Sequence, residues 1–245
     1  MNCTRTDANG QLSFSAFTGS FLMVPSSMTS FYNTGTTVET TRSGRTAYRY
    51  EGTLDIQDSD RICPKCGKKM HVHGGHPIAV QHLNVGGSFG YLSFRRNQLE
   101  CPHCGATVMQ SVPFMADHHR ITKELLQYTK DLLATGTYTL KQVSEITGLG
   151  KNTVKAIDLR RLQDKYTIDG QTLIKPEQTT RFLGIDEFKL HDGHRYATHI
   201  IDMRTGHILW ISHGKKKQVV YDFIEHVGLE WMDNVEAVAC DMNSD

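Results

Sequence analysis

Four of the six cysteines stand as Cys63-Pro64-Lys65-Cys66-Gly67 and Cys101-Pro102-His103-Cys104-Gly105, and this pair of knuckles constrains the fold more than any other feature. A two-residue gap lets both thiolates of a tight turn face one ion, and the closing Gly permits that turn. Cys63, Cys66, Cys101 and Cys104 together offer a closed tetrahedral site for structural zinc. The 34 residues between Cys66 and Cys101 are long for a minimal ribbon, but a hairpin fills them. The competing readings are disulfides, which suit a reducing compartment poorly, and a redox CxxC, which normally occurs once beside a βαβ pattern. His71, His73, His76, His82 and His103 lie in or near the knuckles. Four thiolates already close the site, so these histidines are expected at the surface or in turns. Cys3 and Cys240 are unpaired; Cys240 is expected as a small apolar residue in a buried strand.

Charge is distributed unevenly. Residues 1–60 carry net −2, residues 61–165 net +8 and residues 166–245 net −5, within an overall +1. A basic middle suits a polyanion, because Lys and Arg displace condensed counterions from phosphates, although an ordinary basic surface has the same composition. No apolar run reaches the roughly 18–20 residues of a membrane span. The mildly apolar stretch from Leu12 to Val24 lacks the basic start of a secretory signal. The expected location is therefore cytoplasmic, associated with the nucleoid.

The texture of the chain predicts an α+β, multidomain protein. Residues 1–60 are rich in Ser, Thr and Gly and read as a flexible leader, with a short strand near Thr46–Tyr50 and an alternative start at Met28. Residues 61–116 form the zinc-binding domain, and residues 117–166 turn helical. Residues 167–180, with Gly170 and Pro176, read as a linker. From residue 181 to 245 come three strands, a helix over Lys216–Val227 and an apolar run, Val235–Cys240. Asp192 and Asp202 read as turn residues.

Within the helical stretch, a first helix runs from Thr122 to Ala134. A short second helix has Thr139 as N-cap and Leu140, Val143 and Ile146 on its apolar side. Thr147-Gly148-Leu149-Gly150 makes a turn. A basic third helix runs from Lys151 to about Gln163 and buries Val154, Ile157 and Leu162 or their neighbours. This order is a helix-turn-helix, whose second helix enters the DNA major groove by its N-terminal end. Lys151, Asn152, Thr153 and Lys155 are the candidates for base or phosphate contact, with Arg160 and Arg161 assigned to phosphates. A three-helix bundle with a solvated basic face is the competing reading.

Arg181-Phe182-Leu183-Gly184-Ile185-Asp186-Glu187-Phe188 is a strand with a carboxylate in its apolar pattern. In a nucleotidyl-transfer enzyme such an Asp would hold a hard divalent cation. Adjacent strand residues point to opposite faces, so Asp186 rather than Glu187 is the candidate ligand. Asp241 closes the next apolar run, and its 55-position offset from Asp186 accommodates a hairpin pair and a helix. Asp241 would then sit beside Asp186 if the strands are neighbours; the alternative is a helix cap. Lys215-Lys216-Lys217 reads either as a phosphate contact or as a solvated run.

The two CxxC units, the segment Thr147–Val154, and the stretches Gly184-Ile185-Asp186-Glu187-Phe188, His194-Arg195-Tyr196-Ala197-Thr198 and Asp241-Met242 resemble the insertion-sequence transposases of the ISL-three type. The likeness covers about residues 61–245. It implies a zinc-ribbon-like module, a helix-turn-helix and the first part of an RNase H-like α/β domain of the DDE superfamily. It also implies magnesium or manganese at Asp186 and Asp241, with double-stranded DNA at element ends as the partner. Homo-oligomers, or association with an intact transposase, belong to the same expectation, and no membrane does. The family's third acid, a downstream Glu, has no counterpart in the 245 residues, so the expectation is a truncated transposase that binds DNA and does not cut it alone. The second reading is a non-catalytic DNA-binding regulator or competitor of an intact transposase.

Overall fold

The computed structural model describes residues 30–41, 44–190 and 195–241. Cys3, Met28 and the rest of residues 1–29, Asp192, His194 and Met242 lie outside the described residues. The chain divides into two compact units, one ending at Arg161 and one beginning at Leu162.

The first unit is built on a long hairpin. Strands β3 (His71–Val85) and β4 (Ser88–Glu100) pair antiparallel from His71 opposite Glu100 to Val85 opposite Ser88. Gly86 and Gly87 close it with φ values of 57° and 82°. Two positive φ angles in a two-residue loop define the mirror-image turn whose twist matches the strands, and Gly takes it without strain. Strands β1 (Phe31–Thr40) and β2 (Thr46–Leu54) form a second hairpin, and β2 runs parallel to β4. The sheet order is β1-β2-β4-β3, with the short β5 (Thr107–Met109) also on β4. One face packs Phe31, Ile78, Val80, Leu92 and Phe94 against Val112 and Phe114. Phe31, Phe94 and Phe114 meet edge to face with centroids 5.8 to 6.2 Å apart, a favoured aromatic geometry.

These strands correct the expected leader. Phe31–Thr40 and Thr46–Leu54 are strands of the sheet rather than loose, and the strand near Thr46–Tyr50 extends to Leu54. Their alternation was hidden because β1 exposes nearly all its residues, leaving Phe31, Ala47 and Leu54 as the buried anchors.

Helices α1 (Lys123–Ala134), α2 (Leu140–Thr147) and α3 (Lys151–Tyr166) follow. Ile121, Leu125, Leu133, Val143, Leu149, Val154 and Ile157 make their shared core. Leu162, expected inside, is 36% exposed; the buried stripe of α3 ends at Ile157.

In the second unit, β6 (Phe182–Lys189), β7 (Tyr196–Asp202) and β8 (Ile208–His213) are antiparallel neighbours. Helices α4 (Gln218–Val227) and α5 (Leu229–Met232) lead to β9 (Ala237–Cys240), which pairs parallel to β6 in the order β8-β7-β6-β9. Leu183 and Ile200 pack against Phe223, Val227 and Trp231 from the helices. The expected succession of strands, helix and strand is present, but β9 is exposed along its length, Cys240 included. It lies at the sheet edge with β6 as its one strand neighbour.

Candidate metal centre and nucleic-acid interface

The metal-ligand atoms of Cys63, Cys66, Cys101 and Cys104 lie within 4.8 Å of one another, the one cluster of its kind among the described residues. The sulfurs of Cys63 and Cys104, and those of Cys66 and Cys101, are 3.6 Å apart. That is far from a disulfide at ~2.05 Å. It is close to the ~3.8 Å edge of a tetrahedron whose metal–sulfur bonds are about 2.3 Å. Each knuckle is closed by backbone bonds of one pattern: Gly67 N–H to Cys63 O and Gly105 N–H to Cys101 O, both 2.9 Å. The sulfurs sit against Met70 and Leu99. Burial resists ionisation of Cys63, but N–H groups of Cys66 and Lys65 and the neighbouring thiols outweigh it and bring its pKa to about 7. At Cys66 the donor at Lys68 is outweighed by burial and by the other sulfurs, which push its pKa up to about 12. Four thiolates this close need a cation to share, which is the chemistry of a structural zinc site.

The histidines lie outside this cluster. His71, His73, His76 and His103 are exposed, as expected. His82 is not: it is 4% exposed, with Nδ1 3.0 Å from Thr122 Oγ1. The reason is its place on β3 under the start of α1, where Thr122 is the N-cap.

The helix-turn-helix is specified by local chemistry. Thr139 caps α2, its hydroxyl accepting from Gln142 N–H while the Gln142 side chain accepts from Thr139 N–H. Such a capping box satisfies two otherwise open donors. Gly148 ends α2 at φ 76°. Its position has a second requirement, since a Cβ there would stand 2.4 Å from the Phe89 ring. Beyond the turn, Lys151, Asn152 and Lys155 are exposed on the first turns of α3, and Thr153 is half-buried. Arg160 is exposed, whereas the Arg161 guanidinium is held by Asp158 at 2.8 Å. The structure thus groups the first three near one helix end and leaves Arg161 with an internal partner.

Three residues that local sequence reasoning missed complete this element. Arg45 Nη1 donates to Glu145 O (2.7 Å), Asn84 Nδ2 to Ile146 O (2.6 Å) and Gln81 Nε2 to Thr147 O (2.8 Å). They stand 62 to 100 positions away in sequence, beyond the reach of any local signal.

The carboxylates lie on the second unit. Strands β6 and β9 pair from Phe182 opposite Ala237 to Ile185 opposite Cys240, so Asp186 and Asp241 occupy the next positions in that register. Neighbouring strands are about 4.8 Å apart, and partners in register share a face. Both Asp residues are exposed. Glu187 N–H donates to Asp186 Oδ1 at 2.8 Å. His199 on β7 is the antiparallel partner of Asp186, and its ring lies 5.6 Å from that of Phe188.

A four-cysteine knuckle pair, a helix-turn-helix and a carboxylate-bearing mixed sheet follow one another along the chain in that order. Comparisons with known proteins agree along the chain. Residues 59–104 match the zinc-finger of transposase IS204/IS1001/IS1096/IS1165. Residues 110–162 match the helix-turn-helix domain of transposase family ISL3, and residues 183–245 match that family's transposase model. The chain belongs to the ISL3 family of transposases. It is 29% identical over 184 residues to the transposase for insertion sequence element IS1001 of Bordetella parapertussis, covering 75% of this chain and 43% of that protein. It is 27% identical over 183 residues to the transposase for insertion sequence element IS1557 of Mycobacterium tuberculosis, covering 74% and 39%. The chain therefore spans about two fifths of the length of the curated relatives it matches. No solved structure matches it significantly. No helix among the described residues is long and apolar enough to cross a membrane.

Proposed function

We propose that this chain binds double-stranded DNA at the ends of an insertion element, through α3 set in the major groove by its N-terminal turn. The observation that carries this reading is the capped α2, the Gly148 turn and the exposed Lys151, Asn152 and Lys155 on one helix end. A helix presented this way reads base edges with its first residues and phosphates with its flanks. Zinc on Cys63, Cys66, Cys101 and Cys104 would hold the end of the β3–β4 hairpin and stay out of the chemistry.

The second unit is the start of an RNase H-like domain on this reading. The support is that Asp186 and Asp241 each come one position after the last pair, Ile185 opposite Cys240, of the adjacent parallel strands β6 and β9. Hard carboxylate oxygens so placed suit magnesium or manganese, which would activate an attacking oxygen and stabilise a leaving one on phosphate. The domain limits follow the same division: zinc module to residue 116, helix-turn-helix to 166, connecting segment to 180 and carboxylate sheet beyond.

The test uses the full chain with element-end duplex and with a scrambled duplex of equal length, first in a binding assay across a salt series and then with manganese. Preferential, salt-sensitive binding of the element end is expected. Strand cleavage that vanishes in Asp186→Ala would support phosphoryl transfer by this chain. Tight, specific binding with intact strands would favour the regulator or competitor reading. Equal affinity for both duplexes would count against recognition of element ends.

A further inference from the structure

The far end of α2 is an unusual place for three long-range side chains to meet. An α-helix leaves its last four carbonyls without intrahelical partners. In α2 these belong to Ser144, Glu145, Ile146 and Thr147. Ser144 O accepts from Gly148 N–H at 2.9 Å, the bond of an ordinary glycine cap. The other three receive one side-chain donor each, from Arg45, Asn84 and Gln81. None of these donors comes from the helical domain. Gln81 and Asn84 lie on β3 near its turn, and Arg45 just precedes β2.

The same patch of sheet fixes the neighbouring parts. Gln81 N–H donates to Arg120 O at 3.0 Å, and Thr122 N–H to Gln81 O at 2.8 Å, which ties down the start of α1. Phe89 lies beneath Gly148, and the Arg45 guanidinium is 5.3 Å above the Phe89 ring. Ser144 Oγ donates to Leu149 O at 2.6 Å, so the turn leaving α2 is bound to the helix that has been capped. The path from sheet to α3 is therefore a short series of directional contacts: sheet donors, α2 carbonyls, the Gly148–Leu149 turn, and Lys151.

We propose that Arg45, Asn84 and Gln81 are positioning residues for DNA recognition, capping α2 so that α3 presents Lys151, Asn152 and Lys155 at one fixed angle to the sheet. The proposal rests on the DNA-binding reading above and extends it to residues outside the helix-turn-helix. Hydrogen bonds, unlike apolar packing, fix angle as well as distance. A small rotation of α2 is carried by the bound turn to the tip of α3. Base readout needs bidentate alignment, whereas phosphate attraction tolerates misplacement. Losing the caps should therefore cost specific binding and spare non-specific binding.

The experiment measures the ratio of affinities for two duplexes. One is recovered by selection from a random pool with the wild-type full chain; the other is its scrambled counterpart. Asn84→Asp keeps the shape of the side chain but places an acceptor against Ile146 O. Arg45→Met keeps the stem over Phe89 and removes the donor, at an exposed residue whose replacement leaves the core intact. Each is expected to lower the ratio roughly tenfold, as for loss of one good base contact, with the scrambled-duplex affinity within about twofold of wild type. Arg45→Lys, which keeps a donor, is expected to retain most of the ratio. An unchanged ratio in both Asn84→Asp and Arg45→Met would overturn the proposal. So would a parallel fall in both affinities together with the thermal midpoint, the mark of a merely structural role. If the wild-type chain selects no sequence at all, the DNA-recognition reading fails first, and that result is distinct from the other two.

Discussion

Gln110 shows how a single polar side chain can organise a small β unit. It is fully buried, yet its amide is saturated: Nε2 donates to Leu54 O and Asp55 O at 3.0 and 2.9 Å, and Oε1 accepts from Asn97 N and Nδ2 at 3.1 and 2.9 Å. It thereby joins the end of β2 to the last third of β4. Removing a buried partner leaves its neighbours desolvated and unpaired, which costs more than the bond itself contributed. Gln110→Leu is expected to lower stability by about 3 kcal/mol, read from urea unfolding of the full chain. A loss below about 1 kcal/mol would show that the backbone carbonyls find water instead. Nothing in the sequence around Gln110 announces this role, because both partners on the β2 side lie more than 50 positions upstream. The cysteines are the opposite case. Their ligand geometry is set within a five-residue turn, and the pairing of the two knuckles was legible directly from the repeat.

At the scale of elements, legibility follows the range of the interactions that define each one. The limits of α1 and α2 could be read from Thr122, Thr139 and Gly148, because caps act within one turn of the helix. The hairpin of β1 and β2 could not, since its few apolar residues gain their burial from β3, β4, Val112 and Phe114, far along the chain. Burial of β9 was expected from its apolar sequence. A strand's composition, however, does not determine what packs on it. Where two elements share one buried polar pair, pH becomes a probe. Burial holds the His82 imidazole below the ordinary value of 6.5, with Glu124 partly opposing it. The folded state therefore resists a proton that the unfolded chain takes up readily near pH 6.5. Stability is insensitive to this group above that pH and falls as pH drops below it, until the folded state also protonates. Thermal midpoints from pH 7.5 to 5.5 should decline more in the wild type than in His82→Asn, which cannot titrate. Parallel curves would mean that folding leaves the affinity of His82 for its proton unchanged.

On the scale of the whole molecule, the basic segment and the sheet of carboxylates belong to different units, and the charge division seen along the sequence coincides closely with the division of the structure. The basic residues 61–165 comprise the metal centre and the helix-turn-helix; the acidic remainder carries Asp186 and Asp241. In the first of these, on the proposed reading, α3 reads DNA from its N-terminal turn. This reading is tested most directly by substituting each base pair of the selected duplex in turn and measuring affinity for wild type and Asn152→Ala. Asn152→Ala is expected to lose discrimination at one or two adjacent positions, worth about 1–3 kcal/mol, and to keep the wild-type profile elsewhere. A profile unchanged at every position, or lowered evenly across all of them, would contradict it.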